Sequence, residues 1–207
     1  MKDYSQYGES KILLDLVKKI GTINEYIVEF GASDGYRLSN ARMFIEMGWQ
    51  ALQMDGIVEP KNGVKFEFIT KENINDLFKK YDVPNKFDIL SIDIDGNDYW
   101  VWKELEYNPN IVIIEYNSNF NVNESYTLKY NPEHNFDESG GFYSASVKAF
   151  VDLAKNKGYF LHREIAYTNL IFVKNEYKEL ISEFDYHNLN LPKDHHGGKD
   201  LEKFIEV

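Results

Sequence analysis

Between Ile12 and Tyr116 the chain alternates short apolar runs of strand length with stretches whose apolar residues recur at helical spacing, and few folds accommodate that alternation. YIVEF at Tyr26 to Phe30, QALQM at Gln50 to Met54, VKFEFI at Val64 to Ile69, FDILSID at Phe87 to Asp93 and IVIIEY at Ile111 to Tyr116 read as strands. Ile12, Leu13, Leu16, Val17 and Ile20 mark an opening helix that Gly21 stops, and Ala41, Phe44 and Ile45 mark a second before Gly48. Ile74, Leu77, Phe78 and Tyr81 mark a third that Pro84 terminates, and a Trp- and Tyr-rich helix begins near Asp98. Such regularity predicts an α/β fold, a mostly parallel sheet covered by helices on both faces. Beyond a polar loop from Asn117 to Gly141, of a length common in lids, Val147, Phe150, Val151 and Ala154 define a further helix stopped by Gly158. YFLHRE and NLIFV then read as strands closing the sheet as an antiparallel hairpin, for seven in all. The tail after Asn175 reads as helical and then loose around His195 and His196, two histidines better suited to a mobile tail than to a metal tract.

A length of 207 residues predicts one domain, with a core of about 4–174 and an extension over 175–207. The net charge of −11 argues against nucleic acid or an anionic membrane surface as the main partner. Without cysteine the chain has no disulfide, thiolate metal site or cysteine nucleophile. Its first residues lack a signal-peptide core and no run is apolar enough to span a membrane, so the expected location is cytoplasmic.

EFGASDG follows the first strand. Glu29 ends that strand, Gly31 lets the backbone turn, and Gly35 is read as opening the next helix N-terminus to a ligand. Asp55 ends the second strand, where a carboxylate accepts from both hydroxyls of a ribose, and Asp93 ends the fourth. Open parallel sheets bind ligands at this carboxyl edge. A dinucleotide fingerprint needs a second glycine where Ser33 stands, so a cofactor without a pyrophosphate fits better. S-adenosylmethionine carries a sulfonium and an ammonium, and Glu29, Asp34 and Asp93 place negative charge to receive them.

YSQYGES, VEFGASDGYRLSN, GWQALQMDG, ENINDLF, DILSIDIDGNDYWVW, IVIIEYN and GFYSAS together resemble an FkbM-related group of S-adenosylmethionine-dependent methyltransferases. The similarity runs from about Tyr4 to Val173, and SIDIDGNDYWVW is its most specific part. The resemblance implies a Rossmann-like, class I methyltransferase fold, a three-layer sandwich. It also implies that Glu29, Gly31, Ala32 and Gly35, with Ser33 between them, line the donor's methionine end. Asp55 would then meet the ribose, Asn73 or its neighbours the adenine, and Gln6 and Asn40 would belong to the same cofactor site.

Asp93 and Asp95 stand two apart at a strand end, so in extended chain their carboxylates share one side, and Glu115 ends the neighbouring strand. Three converging carboxylates suit a Mg²⁺ or Mn²⁺ ion, or a shared proton. Asp95, Glu115 and His134 are the candidate general bases for a hydroxyl acceptor, and Asp98 reads as a helix N-cap. Tyr116, Asn117, Tyr130, Tyr143 and Ser146 are expected to line the pocket of a small polar or saccharide-type acceptor, whereas Trp100 and Trp102 are expected in the core. Surface glycan biosynthesis is one setting for such an acceptor. Two other readings stand beside O-methyl transfer: a metal-dependent glycosyltransferase built on Asp93 and Asp95, and a non-catalytic cofactor-binding module.

Overall fold

A computed structural model describes residues 2–57, 59, 61–134, 142–192 and 200–207. In chain order the elements are α1 (Glu9–Ile20), β1 (Tyr26–Phe30), α2 (Arg42–Glu46), β2 (Gln50–Asp55), β3 (Lys65–Phe66), α3 (Ile74–Lys80), β4 (Lys86–Ile92), α4 (Asp98–Glu104), β5 (Asn108–Glu115), β6 (Tyr126–Leu128), α5 (Val147–Lys157), β7 (Tyr159–Ile165), β8 (Asn169–Lys174) and β9 (Phe204–Glu206). Short 3-10 turns at Asn175–Tyr177, Tyr186–Asn188 and Leu201–Lys203 punctuate the C-terminal segment.

Seven strands form one sheet in the order β3-β2-β1-β4-β5-β8-β7. All neighbours from β3 to β5 pair in parallel, and β8 runs antiparallel to both β5 and β7. This is the expected Rossmann-like, mostly parallel seven-stranded sheet, closed by the expected antiparallel hairpin. Its turn places both Ala166 and Tyr167 at positive φ, as a tight hairpin connection requires. Period-two side-chain alternation divides the apolar residues between two layers. Val28, Leu90 and Val112 face a core shared with α3, α4 and α5, whereas Ile27, Ile89 and Ile111 face α1 and α2. Strand order reverses between β1 and β4, and the crevice outside such a switch point is where open α/β sheets hold ligands.

Several expectations give way. The third strand covers only Lys65–Phe66, because after Glu67 donates its backbone N–H to the Asp55 carbonyl the chain peels off the sheet edge. The helix after the glycine loop starts at Arg42, so Gly35 lies within the loop and not at the N-terminus of that helix. Among the described residues the C-terminal segment holds short 3-10 turns and no α-helix, and β9 pairs antiparallel with β6, a strand inside the polar loop. Phe120, Leu128 and Phe204 form a small core beneath that pair, burial that no local periodicity announces. Residues 135–141 of the loop, and His195 and His196 with the reading placed on them, lie outside the described residues. Among the described residues no helix is long and apolar enough to cross a membrane.

Candidate functional site

A cleft of about 660 Å³ opens at the carboxyl ends of β1, β2, β4 and β5, within the roughly 300–1,000 Å³ usual for small-molecule sites. Its walls include Gly31, Ser33 and Asp55 on one side and Asp93, Asp95 and Glu115 on the other, with Gln6 and His134 at its margins.

Gly31 has φ 66, and a Cβ there would fall 1.6 Å from the Asp93 carbonyl oxygen. The glycine therefore lets the loop press against the end of β4, a backbone-to-backbone approach that no side chain permits. From that point the loop is tied to β2: Ala32 N–H donates to the Met54 carbonyl at 3.1 Å, and Ser33 N–H to Asp55 Oδ2 at 2.9 Å. Asp55 Oδ1 accepts from Ile57 N–H at 2.8 Å, so its carboxylate is oriented at the mouth of the cleft. Gly35 faces Val64 and Gln53 instead of the cleft.

Glu29 also stands away from the cleft. Its carboxylate, 3% exposed, accepts from Ser39 Oγ, Gln53 Nε2, Asn40 N–H and Ala41 N–H. Burial raises its pKa and these donors pull it back, so Glu29 braces the loop from beneath. Asn40 is part of the same brace, giving Nδ2 to Ser91 Oγ and its carbonyl to Ser10 Oγ. Asn73 spends its side chain on its own turn, accepting from Thr70 N–H and donating to the Phe68 carbonyl. Ala32, 2% exposed, is buried behind the loop. Glu29, Ala32, Gly35, Asn40 and Asn73 thus shape the cleft without lining it.

The acidic wall assembles by a route different from the one expected. Strand β4 ends at Ile92, and Asp95 turns back with φ 58 in place of extended backbone. Asp98 forces that turn. It is the first residue of α4, fully buried, and its carboxylate accepts from Ile94 N–H at 2.9 Å and Gly96 N–H at 2.8 Å. It reaches back to the preceding loop, while Asn97 takes the N-cap position. Carboxylate oxygens of Asp93, Asp95 and Glu115 end within 4.8 Å of one another, and among the described residues this is the one group of three or more acids and histidines so arranged.

Opposite the turn, the His134 ring lies on Gly96, where a Cβ would come within 2.0 Å of Cδ2, and Nε2 sits 3.0 Å from the Asp95 carbonyl oxygen. A carbonyl only accepts, so Nε2 carries a proton, and Nδ1 is the ring atom left to exchange one with a ligand. Asn97 joins the same loop by donating Nδ2 to the Asn131 carbonyl at 2.7 Å.

Burial pushes the Glu115 and Asp93 carboxyls well above the usual carboxylate range, and the neighbouring acids push them further. Asp95 is pushed up to about 6 by burial and then by Asp98, with His134 opposing. Glu115 Oε2 is buried with no hydrogen-bond partner among the described residues. Such a wall calls for a cation or a proton.

The expected acceptor aromatics are largely core. Tyr116 is buried and donates to Glu164 at 3.2 Å, Asn117 donates to the Tyr143 carbonyl at 3.0 Å, and Ser146 caps α5 by accepting from Ala149 N–H. Tyr130 is engaged with Glu72 outside the cleft. Trp102 is 1% exposed in the core as expected, whereas Trp100 donates Nε1 to the Leu128 carbonyl at 2.8 Å and so ties α4 to β6. Sequence reasoning passed over Arg37, Ile57 and Phe68 in the cleft, and over Asp98 behind it. Only the unbroken string DIDGND hinted at the last.

No protein-family model matches this chain, and no curated protein does. Among solved structures, the N-terminal domain of EvdMO1 with SAH bound is similar at 10% identity and a TM-score of 0.44, over 80% of each chain. The same domain in the presence of SAH and D-fucose gives 12% and 0.43, over 80% of this chain and 82% of that one. A S-adenosylmethionine-dependent methyltransferase from Clostridium acetobutylicum ATCC 824 gives 10% and 0.46, over 82% of this chain and 92% of its own. Identities of this size transfer neither substrate nor site residues.

Proposed function

We propose that the chain is an FkbM-like, S-adenosylmethionine-dependent methyltransferase of the cytoplasm that methylates a hydroxyl on a small polar or saccharide-type acceptor. The observation that carries this reading is the convergence of Asp93, Asp95 and Glu115 in the same cleft as an oriented Asp55, at the switch point of the sheet. A cationic donor suits the first group and a ribose suits the second. The orphaned Glu115 Oε2 favours a positively charged guest over a neutral or phosphate-bearing one.

Bound there, the donor supplies an electrophilic methyl carbon on a positively charged sulfur. Asp55, at the end of β2, would accept from the ribose hydroxyls and so fix the donor's long axis. The acidic wall opposes the positive charge and orients it, and such positioning supplies much of the rate of an in-line transfer. In the transfer the methyl–sulfur bond would break, its electron pair staying on sulfur as a neutral thioether, while the acceptor oxygen gains the methyl group and gives its proton to Asp95, Glu115 or Nδ1 of His134. A carboxyl near 6, as at Asp95, suits that exchange around neutral pH.

A second reading has its own support: three carboxylates within 4.8 Å also match the oxygen donors a Mg²⁺ or Mn²⁺ ion takes, and such an ion would polarise the acceptor hydroxyl. Titration calorimetry with S-adenosylmethionine and its demethylated product, each with EDTA, Mg²⁺ or Mn²⁺, separates the two. Binding in EDTA supports the donor reading alone, binding that requires the ion supports both, and no heat under any condition sinks the proposal.

A further inference from the structure

The charge layout of the cleft is lopsided in an instructive way. Among the described residues five acids line it (Asp55, Glu67, Asp93, Asp95, Glu115) against one Lys or Arg, which is Arg37. Glu67 is already paired with Lys80 and Tyr81, and Asp55 with two backbone amides. That leaves the wall of three carboxylates on one side and a lone guanidinium on the other.

Arg37 is held at its backbone and free at its head. Asp34 Oδ1 accepts from Tyr36 N–H at 2.9 Å and Arg37 N–H at 2.8 Å, which fixes the chain on one side of Arg37. Leu38, at φ 58, forms a parallel bridge with Ser5 and fixes it on the other, laying the segment that bears Gln6 alongside. Asp34 is the acid nearest in sequence; its Oδ1 is engaged by those amides, and although the Arg37 charge helps lower its pKa the two side chains form no ion pair. The guanidinium has no hydrogen bond or ion pair with any described residue. An arginine anchored at the main chain, exposed to a cleft and unpaired in a chain of net charge −11 is placed to receive an anion from outside the protein.

We infer that Arg37 holds the carboxylate of the donor's amino-acid end, with Gln6 on the same wall, while the acidic wall faces the donor's positive centres. The inference rests on the donor reading above. An α-amino acid joined to a sulfonium presents two positive groups and one negative, which is the complement of three unpaired carboxylates and one unpaired guanidinium. The planar fork of arginine grips a carboxylate through two parallel hydrogen bonds, which lysine does not reproduce.

The test is calorimetry on the full chain with two probes, S-adenosylhomocysteine, which has the amino-acid end, and 5′-methylthioadenosine, which lacks it. Arg37→Gln is expected to weaken S-adenosylhomocysteine binding by about tenfold to a hundredfold, the span for a lost charged hydrogen bond, and to leave 5′-methylthioadenosine unchanged. Arg37→Lys is expected to fall between wild type and Arg37→Gln. Arg37 is exposed and the methylthioadenosine arm reports an intact site, so a folding defect cannot imitate this pattern. Equal S-adenosylhomocysteine affinity in wild type and Arg37→Gln, or an equal loss of both probes, overturns the assignment while leaving the donor reading intact. A wild-type protein that binds neither probe overturns the donor reading and this inference together.

Discussion

Asp95 concentrates the tension of the site in one side chain. It holds a left-handed backbone conformation under the grip of Asp98, and burial beside other acids pushes its carboxyl up to about 6. Below about pH 3 this group is protonated in both folded and unfolded chains. As the pH rises toward about 6 the unfolded chain gives up its proton while the folded one keeps it, so wild-type stability falls across that window. Asp95→Asn removes the titration and keeps the shape. Its advantage over wild type in the ligand-free state should therefore grow from near zero at about pH 3 to about 2 kcal/mol at pH 7, after a discount for partial exposure. Melting temperatures of the two proteins across that range, in EDTA, check the sign; a constant offset would mean that Asp95 does not titrate as its surroundings dictate. The sequence already placed Asp93, Asp95 and Glu115 together, because strand ends at one sheet edge are predictable. The means was not legible: two-residue spacing suggested extended chain, while the convergence depends on Asp98, whose hydrogen bonds to the loop before it leave no trace in periodicity. Glu29 shows the converse. An acid at the end of the first strand looked ready for a ligand, but whether a carboxylate faces a cleft or four internal donors is decided by residues such as Ser39 and Gln53, far along the chain.

At the level of elements, runs with a strong period were read closely. YIVEF coincides with β1, and the final hairpin and the helix stopped by Gly158 lie where the apolar pattern put them. The failures share a cause. β3, β6 and β9 are two or three residues long, and each is defined by a partner and not by its own composition. The pairing of β6 with β9 does structural work beyond its size. Phe204 is 4% exposed against Phe120 and Leu128, and the loop that follows β6 carries His134 to Gly96. Phe204→Ala should cost about 3 kcal/mol by opening a cavity, and for a chain of this length that lowers Tm by roughly 6–12 °C. A melt within about 1 °C of wild type would show that the clasp is dispensable.

For the molecule as a whole, the sheet provides a rigid edge and the cleft at that edge carries the destabilising charge. The buried apolar residues of β1 and β4 hold together a site whose acids repel one another. A cationic guest relieves that repulsion only in the folded state, so binding and stability are linked. S-adenosylhomocysteine at a hundred times its dissociation constant should add about 2.7 kcal/mol, a rise in Tm of roughly 5–10 °C. Adenosine at the same multiple of its own dissociation constant should give the same rise, whereas at equal concentration its rise should be smaller, because it brings no cation to the acidic wall. Differential scanning fluorimetry over a concentration series of both ligands measures this, and equal shifts at equal concentration would remove the acidic wall from the account of affinity.

The clasp also sets an order in time. Translation runs from the N-terminus, so the strands that bear the aspartates and Glu115 leave the ribosome well before β9 exists to secure β6. For that interval the nascent protein has its ligand edge in place while the arm holding His134 remains unfastened. Completion of the cleft's outer wall then waits for three residues, Phe204 to Glu206, that are made well after Glu115.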